Sequence, residues 1–213
     1  LPPAKVRKKV VVIGGGVTGL QAALTCAERG HETVIFEKKS YLGGMWHHAS
    51  YPNGREELFR FLEWLVHSIR RAGVTIRLGE EATDETLAEE KPDVIIVSAG
   101  SEPVLPDIPG IDRPNVIPAI QALEGGVELG DKVVIIGGGG IGAEIAPYLA
   151  KRWTLRPEVI EFLEDYRALG QSNSLLARRG HDVTLVTRQE RLGGSIGRST
   201  RWVVAKELEH SGV

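Results

Sequence analysis

The chain has 213 residues, 42% of them hydrophobic and 25% charged, with a formal net charge of -2. That balance describes a globular protein with a real core and excludes a global basic field that would draw nucleic acid or an anionic membrane. No apolar run approaches the roughly 20 residues that span a bilayer, and Leu1-Pro2-Pro3-Ala4-Lys5 does not read as a secretory signal. Cys26 is the only cysteine, which rules out an internal disulfide, a CxxC pair and a cysteine-ligated iron–sulfur cluster within the chain. A cytoplasmic location is expected, with neither nucleic acid nor membrane as partner.

In chain order, the apolar run Val10-Val11-Val12-Ile13 predicts a strand over 10–14 and is followed by a helix from Val17 to Arg29. The small residues Ala22, Ala23 and Ala27 let that helix lie close to a sheet, and Gly30 closes it. Thr33–Phe36 is the second strand, ending in Glu37, so a βαβ unit with a parallel sheet is implied. A loop over Lys38–Asn53 leads to a helix over Arg55–Ala72, with Leu58, Phe61, Leu62 and Leu65 at helical spacing. The aromatic residues of Phe59–Trp64 read as helix core, and His47 and His48 as loop residues. Further strands are predicted at Val74–Leu78 and Val94–Val97, with a short helix at Asp84–Glu90 between them.

The Pro-rich stretch Pro103–Pro114, centred on Pro109-Gly110, marks a domain boundary. A short helix at Ile120–Leu123 precedes a second strand–glycine–helix unit, with strand Val133–Ile136 and helix Ile141–Lys151. Residues 153–180 interrupt the βαβ pattern as a helical insertion, after which strand Asp182–Thr187 completes the unit. Trp202–His210 predicts a last helix. A helix running into Ser211-Gly212-Val213 usually leads to another strand, so the chain is expected to be a piece of a longer one.

The chemistry lies in two copies of a glycine fingerprint, Gly14-Gly15-Gly16-Val17-Thr18-Gly19 and Gly137-Gly138-Gly139-Gly140-Ile141-Gly142. The first glycine of each (Gly14, Gly137) makes the tight turn out of the strand. The second (Gly16, Gly139) lets the backbone approach a pyrophosphate, and the third (Gly19, Gly142) lets helix and strand pack closely. The helix N-terminus then offers free N–H groups and the positive end of its dipole to phosphate. Glu37 stands where an acid accepts the ribose hydroxyls of an adenosine and repels a 2′-phosphate, which suits FAD or NAD. The second unit ends its strand in Thr187-Arg188, with Arg191 close behind and no acid. A guanidinium there suits the 2′-phosphate of NADP, so NADP is favoured over NAD. Glu144 reads either as a favourable charge near a helix N-terminus or as a neighbour of the nicotinamide.

These residues, together with Leu42-Gly43-Gly44, Ser98-Ala99-Gly100-Ser101, Pro106 and Pro109-Gly110, resemble the FAD part of the two-dinucleotide-binding flavoproteins. The second fingerprint resembles their inserted NAD(P) domain. Within that group the chain is similar to the C-terminal half of NADH:flavin oxidoreductases of the NADPH-dependent 2,4-dienoyl-CoA reductase and trimethylamine dehydrogenase type. The insertion and the stretch Thr187–Arg191 through Gly197–Trp202 carry the narrower likeness. Met45 departs from the pattern, because that family usually has glutamine after the paired glycines.

The resemblance implies an α/β fold with two Rossmann-like three-layer domains, the second (107–213) inserted into a truncated first (1–106). It implies FAD contacts at Gly14, Gly16, Val17, Thr18, Gly19, Glu37, Lys38, Gly44, Met45, Ala99 and Gly100. NADP contacts are implied at Gly137, Gly139, Gly140, Ile141, Gly142, Arg188 and Arg191. Neither a metal site nor a protein acid or base is implied, since hydride passage from nicotinamide to flavin depends on alignment. In the full enzyme electrons would continue through an iron–sulfur cluster to FMN in a barrel domain, where an enoyl or dienoyl thioester is reduced. The alternatives are a self-contained FAD-dependent NAD(P)H reductase and a non-catalytic module holding ADP.

Overall fold

A computed structural model describes residues 1–51, 55–124, 126–151, 180–188, 192 and 196–213. The chain divides into two compact units, Leu1–Ile111 and Asp112–Val213. The division falls inside the Pro103–Pro114 stretch. The insertion expected over 153–180 lies, apart from Gly180, outside the described residues, as does Arg191.

The first unit is built on four strands, β1 (Lys9–Ile13), β2 (Glu32–Glu37), β3 (Thr75–Leu78) and β4 (Val94–Val97). They pair in parallel in the order β3-β2-β1-β4. Strand residues alternate between the two faces. Val10, Val12 and Ile35 pack on one face against Leu20 and Leu24 of α1 (Val17–Glu28) and Leu62, Leu65 and Ile69 of α3 (Glu56–Arg71). Val11, Val34 and Phe36 pack on the other, with Ala82 and with Leu87 of α4 (Asp84–Glu90). This unit therefore has three layers, and the near-continuous apolar character of β1 and β2 follows from burial on both faces.

Two sequence expectations change here. The loop over Lys38–Asn53 contains a short helix, α2 (Met45–Ala49), entered through Gly43 and Gly44, whose φ angles are +112° and +52°. His47 and His48 sit on it, and His48 is buried. The aromatic residues of α3 are also not core. Leu62, Leu65 and Ile69 form the stripe that faces the sheet, which leaves Phe59, Phe61 and Trp64 on the open side, with Trp64 54% exposed. Phe61 stacks obliquely between Trp46 and Trp64, each ring centroid 5.7 Å away.

In the second unit β5 (Lys132–Ile136) and β6 (Asp182–Val186) pair in parallel. Val133, Ile135, Val183 and Leu185 face a cluster formed by α5 (Ala119–Glu124), α6 (Gly140–Lys151) and α7 (Arg198–Ser211). The opposite side of the strands, at Val134, Ile136 and Val186, is open. Among the described residues this unit thus has helices on one face of its strands. The last helix begins four residues earlier than the apolar pattern predicts, at Arg198, because the turn after Gly197 is polar and carries no periodic signal. Gly212 closes it in the left-handed conformation, with φ +73°.

Candidate functional site: two glycine turns with unequal strand ends

In the first unit the chain leaves β1, forms β2 and β3 on one side, and then crosses to β4 on the other side of β1. The order therefore reverses between β1 and β4, and ligands of open α/β sheets sit beyond the carboxyl ends of strands at such a point. The loops gathered there are the β1–α1 turn, the loop through Gly43-Gly44, and Ser98-Ala99-Gly100 after β4.

Each glycine in the turn has a separate geometric cause. Gly14 has φ +103°, and its N–H donates to the Phe36 carbonyl at 2.8 Å. A Cβ on Gly19 would collide with the Gly14 carbonyl, so α1 can sit this close to β1 only with glycine there. Around Gly16 the space is open, with no atom beyond its chain neighbours within 4 Å of where its Cβ would stand. Gly16 is also the N-cap of α1 and offers no side-chain oxygen to the first-turn N–H groups. The result is a bare helix N-terminus beneath an open space, the arrangement that holds a phosphate. Val17 is half-buried and Thr18 exposed at this rim.

Glu37 forms one wall. It is only 8% exposed, and both of its oxygens are held: Oε2 accepts the Gly15 N–H at 2.7 Å and Oε1 the Lys39 N–H at 2.8 Å. A carboxylate oxygen has two lone pairs, so this anchoring fixes the group and leaves acceptor capacity for hydroxyl donors. The Gly43-Gly44 loop forms a second wall. The Gly43 N–H donates to the Gly15 carbonyl at 2.8 Å, Gly43 bridges to Gly16, and a Cβ on Gly44 would stand 3.2 Å from the Gly16 Cα. Behind the turn, the Ser98 hydroxyl donates to the Ile13 and Gly14 carbonyls at 2.9 and 3.1 Å.

Lys38, Met45, Ala99 and Gly100 lie exposed around this turn, and Gly100 takes φ +77°. The Lys38 ammonium pairs with Glu102 at 3.4 Å, joining the β2 and β4 loops. Gly15, Gly43 and Ser98 complete the arrangement; the sequence motifs contain them but assign them no cofactor contact. The paired glycines and the serine after β4 were visible as motifs, but their bonds join residues far apart in the chain. Cys26 lies on α1, where burial pushes its thiol up, against a smaller opposing effect of Arg29. A thiol so placed is a poor nucleophile.

The second unit repeats the turn. Gly137 has φ +118° and donates to the Val186 carbonyl at 2.8 Å, and a Cβ on Gly142 would collide with the Gly137 carbonyl. Gly139 lies just before the first turn of α6, where its carbonyl accepts the Ala143 N–H at 3.0 Å, and Gly140 opens the helix. Ile141 is exposed and Glu144 is half-buried on the same helix. The matching hydrogen bonds from Gly14 and Gly137 set the register: Val186 corresponds to Phe36, Thr187 to Glu37 and Arg188 to Lys38. Arg188 is thus one residue beyond the acid's position, and it is exposed.

Two parallel α/β units, each with a glycine turn leading into a helix, define a protein class that binds two dinucleotides. The sequence pattern described as pyridine nucleotide-disulphide oxidoreductase matches residues 8–213, and the chain belongs to that family. It is an FAD/NAD(P)-binding module of oxidoreductase type. The chain is 44% identical over 166 residues to an NADH oxidase of Thermoanaerobacter brockii, covering 76% of this chain and 25% of that protein. To a metal reductase of Desulforamulus reducens it is 33% identical over 215 residues, covering 98% and 32%. Among solved structures, a 2-naphthoyl-CoA reductase in complex with 2-naphthoyl-CoA superposes with a TM-score of 0.82 at 27% identity, covering 99% of this chain and 28% of that one. The chain therefore spans about a quarter to a third of the length of these proteins. No helix among the described residues is long and apolar enough to cross a membrane.

Proposed function

We propose that this chain is the electron-input module of a flavin oxidoreductase, with FAD in the first unit and NADPH in the second. The observation that carries the reading is the Glu37 seat: a carboxylate fixed by the Gly15 and Lys39 N–H groups beside a bare helix N-terminus and the open space over Gly16. Glu37 would take the ribose hydroxyls, and the first turn of α1 would take the pyrophosphate. A Cβ at Gly16 would fill the space that the phosphates need, so the residues present fit the group. Lys38, Gly44, Met45, Ala99 and Gly100 would border the rest of the cofactor. In the second unit Gly137, Gly139, Gly140, Ile141 and Gly142 would cradle the second pyrophosphate, and Arg188 would meet a 2′-phosphate, with Arg191 the second guanidinium that the sequence offers for it.

When bound, the two cofactors supply two-electron hydride chemistry, nicotinamide as donor and flavin as acceptor. The chain's own residues bind and align, and none is assigned as acid or base. In the longer polypeptide, with the second domain inserted into the first, the acceptor would be an iron–sulfur cluster and FMN in a barrel domain that reduces an enoyl or dienoyl-CoA-type substrate. The likeness to a 2-naphthoyl-CoA reductase structure supports a thioester acceptor. A second reading, NADH as donor, is favoured by the name of the T. brockii relative.

The test is the absorbance spectrum of the purified protein after incubation with FAD and removal of the unbound excess. A retained flavin band supports the reading, and a colourless protein overturns the FAD assignment.

A further inference from the structure

We infer that the open flank of α3 is a self-association surface. On it a second copy of this chain docks its own α3, antiparallel, about a two-fold axis near Trp64.

Residues four and three apart fall on one stripe of a helix. Leu62, Leu65 and Ile69 form the stripe that α3 turns to the sheet. Beside it runs a second stripe, Glu57, Phe61, Trp64, Ser68 and Arg71, whose centre is aromatic and whose ends carry opposite charge. Phe61 and Trp64 remain 37% and 54% exposed, and Trp46 of α2 adds its ring beside Phe61. Single exposed apolar residues carry no message, but grouped rings of this kind mark an association surface, because aromatic residues are enriched at interface cores. The ridge is already ordered. The Trp46 Nε1–H donates to the Leu58 carbonyl at 2.8 Å and the Ser68 hydroxyl to the Trp64 carbonyl at 2.8 Å, so covering the ridge strands neither donor.

The charges select the occupant. Acid in the first turn and base in the last suit the dipole of any helix, but the dipole does not require them to share a stripe with the aromatic pair. Glu57 and Arg71 each stand seven residues from Trp64, close to two helical turns on either side. Turning the helix end for end about Trp64 therefore lays Glu57 of one copy against Arg71 of the other, twice over, and sets the two Trp64 rings side by side. Phe61 then falls near the small Ser68 of the second copy, as a knob meets a hole. A surface that complements itself in this way is what a two-fold dimer needs. Glu57 meets Arg60 through Oε1 at 3.0 Å, which leaves Oε2 for the second copy, and Arg71 makes no ion pair among the described residues. One helix pair with its flanking rings is a small interface, so a micromolar dimer is expected.

The experiment is sedimentation velocity of the whole chain across the micromolar range, at low and at high salt. Wild type should pass from monomer to dimer, and the transition should move to higher concentration as salt screens the paired ends. Trp64→Ala should weaken association by about tenfold or more, as loss of a central aromatic anchor does, with the circular dichroism of the fold unchanged. Glu57→Arg and Arg71→Glu should each weaken it by about tenfold, because two symmetry-related attractions become repulsions. An equimolar mixture of those two single variants should associate at least as tightly as wild type, since opposite charges then face each other at both ends. A chain that stays monomeric throughout overturns the proposal and leaves the ridge to another occupant, such as the remainder of a longer polypeptide. A dimer that persists in Trp64→Ala, or a mixture that associates no better than either variant alone, overturns the pairing through α3.

Discussion

The turn after β1 and the turn after β5 are built alike, from a positive-φ glycine bonded to the neighbouring strand and a helix glycine pressed against its carbonyl. They differ in the residues at the end of the adjoining strand, Glu37-Lys38 in one and Thr187-Arg188 in the other. The shared part is dictated by backbone sterics, which only glycine satisfies, and it says no more than that a dinucleotide fits. The unshared part is a matter of charge, and the proposed choice between one dinucleotide and another rests on it. On that proposal fold and specificity are written in different residues, distant in the chain and brought together by the strand pairing.

The largest effect should come from breaking the shared part. Gly19→Ala drives a Cβ into the Gly14 carbonyl and should cost on the order of 1–3 kcal/mol of stability as an overpacked contact, with loss of flavin retention. Gly142→Ala repeats the collision in the second unit. It should abolish tight nicotinamide binding and leave the flavin content intact, as read from absorbance and calorimetry on the same sample. Loss of flavin from both variants would argue against two separate seats.

Next comes the charge of the first seat. Glu37→Gln keeps the size, but one of the two N–H donors, from Gly15 or Lys39, must then face an amide NH2 group. FAD affinity should fall by ~1.5–3 kcal/mol, the range of a hydrogen bond to a charged group, in a fluorescence titration. A smaller effect is expected at the rim. Arg188→Gln should weaken NADPH by about tenfold with little change for NADH, and equal losses for both would remove the arginine from the comparison.

The smallest effect lies away from both turns. Lys9 bonds Glu90 at 2.6 Å, and Arg77 reaches the same carboxylate at 3.3 Å. The Lys9 hydrogen bond, with Arg77 adding to it, holds the Glu90 carboxyl below its ordinary range, while burial opposes them. A carboxylate whose folded-state pKa is lowered stabilises the fold at neutral pH and loses that contribution as pH falls through the carboxylate range. Glu90→Gln should therefore lower the melting temperature slightly at pH 7 and flatten its decline in acid.

Much of this was legible in the sequence. The strands β1, β2, β4 and β5 could be read because each is a short apolar run, and the turns after β1 and β5 because those runs end in glycines whose roles are local. Glu37 could be read because its distance from the fingerprint is fixed by one helix and one strand. What could not be read depends on contacts between distant segments. The Gly43 bond to Gly15 shapes a wall of the site, yet the two lie on separate loops. Phe61 has the spacing of a core residue, but the sheet takes the stripe through Leu62, Leu65 and Ile69 and turns Phe61 outward. The correspondence of Thr187 with Glu37 appears only when the bonds from Gly14 and Gly137 fix the register of both units.

The central claim, a nicotinamide donor in one unit and a flavin acceptor in the other, is tested most directly by anaerobic single-turnover reduction of the FAD-loaded protein. The account predicts that NADPH bleaches the flavin absorbance, and does so faster than NADH at equal low concentration. A flavin that neither nucleotide bleaches would contradict the claim.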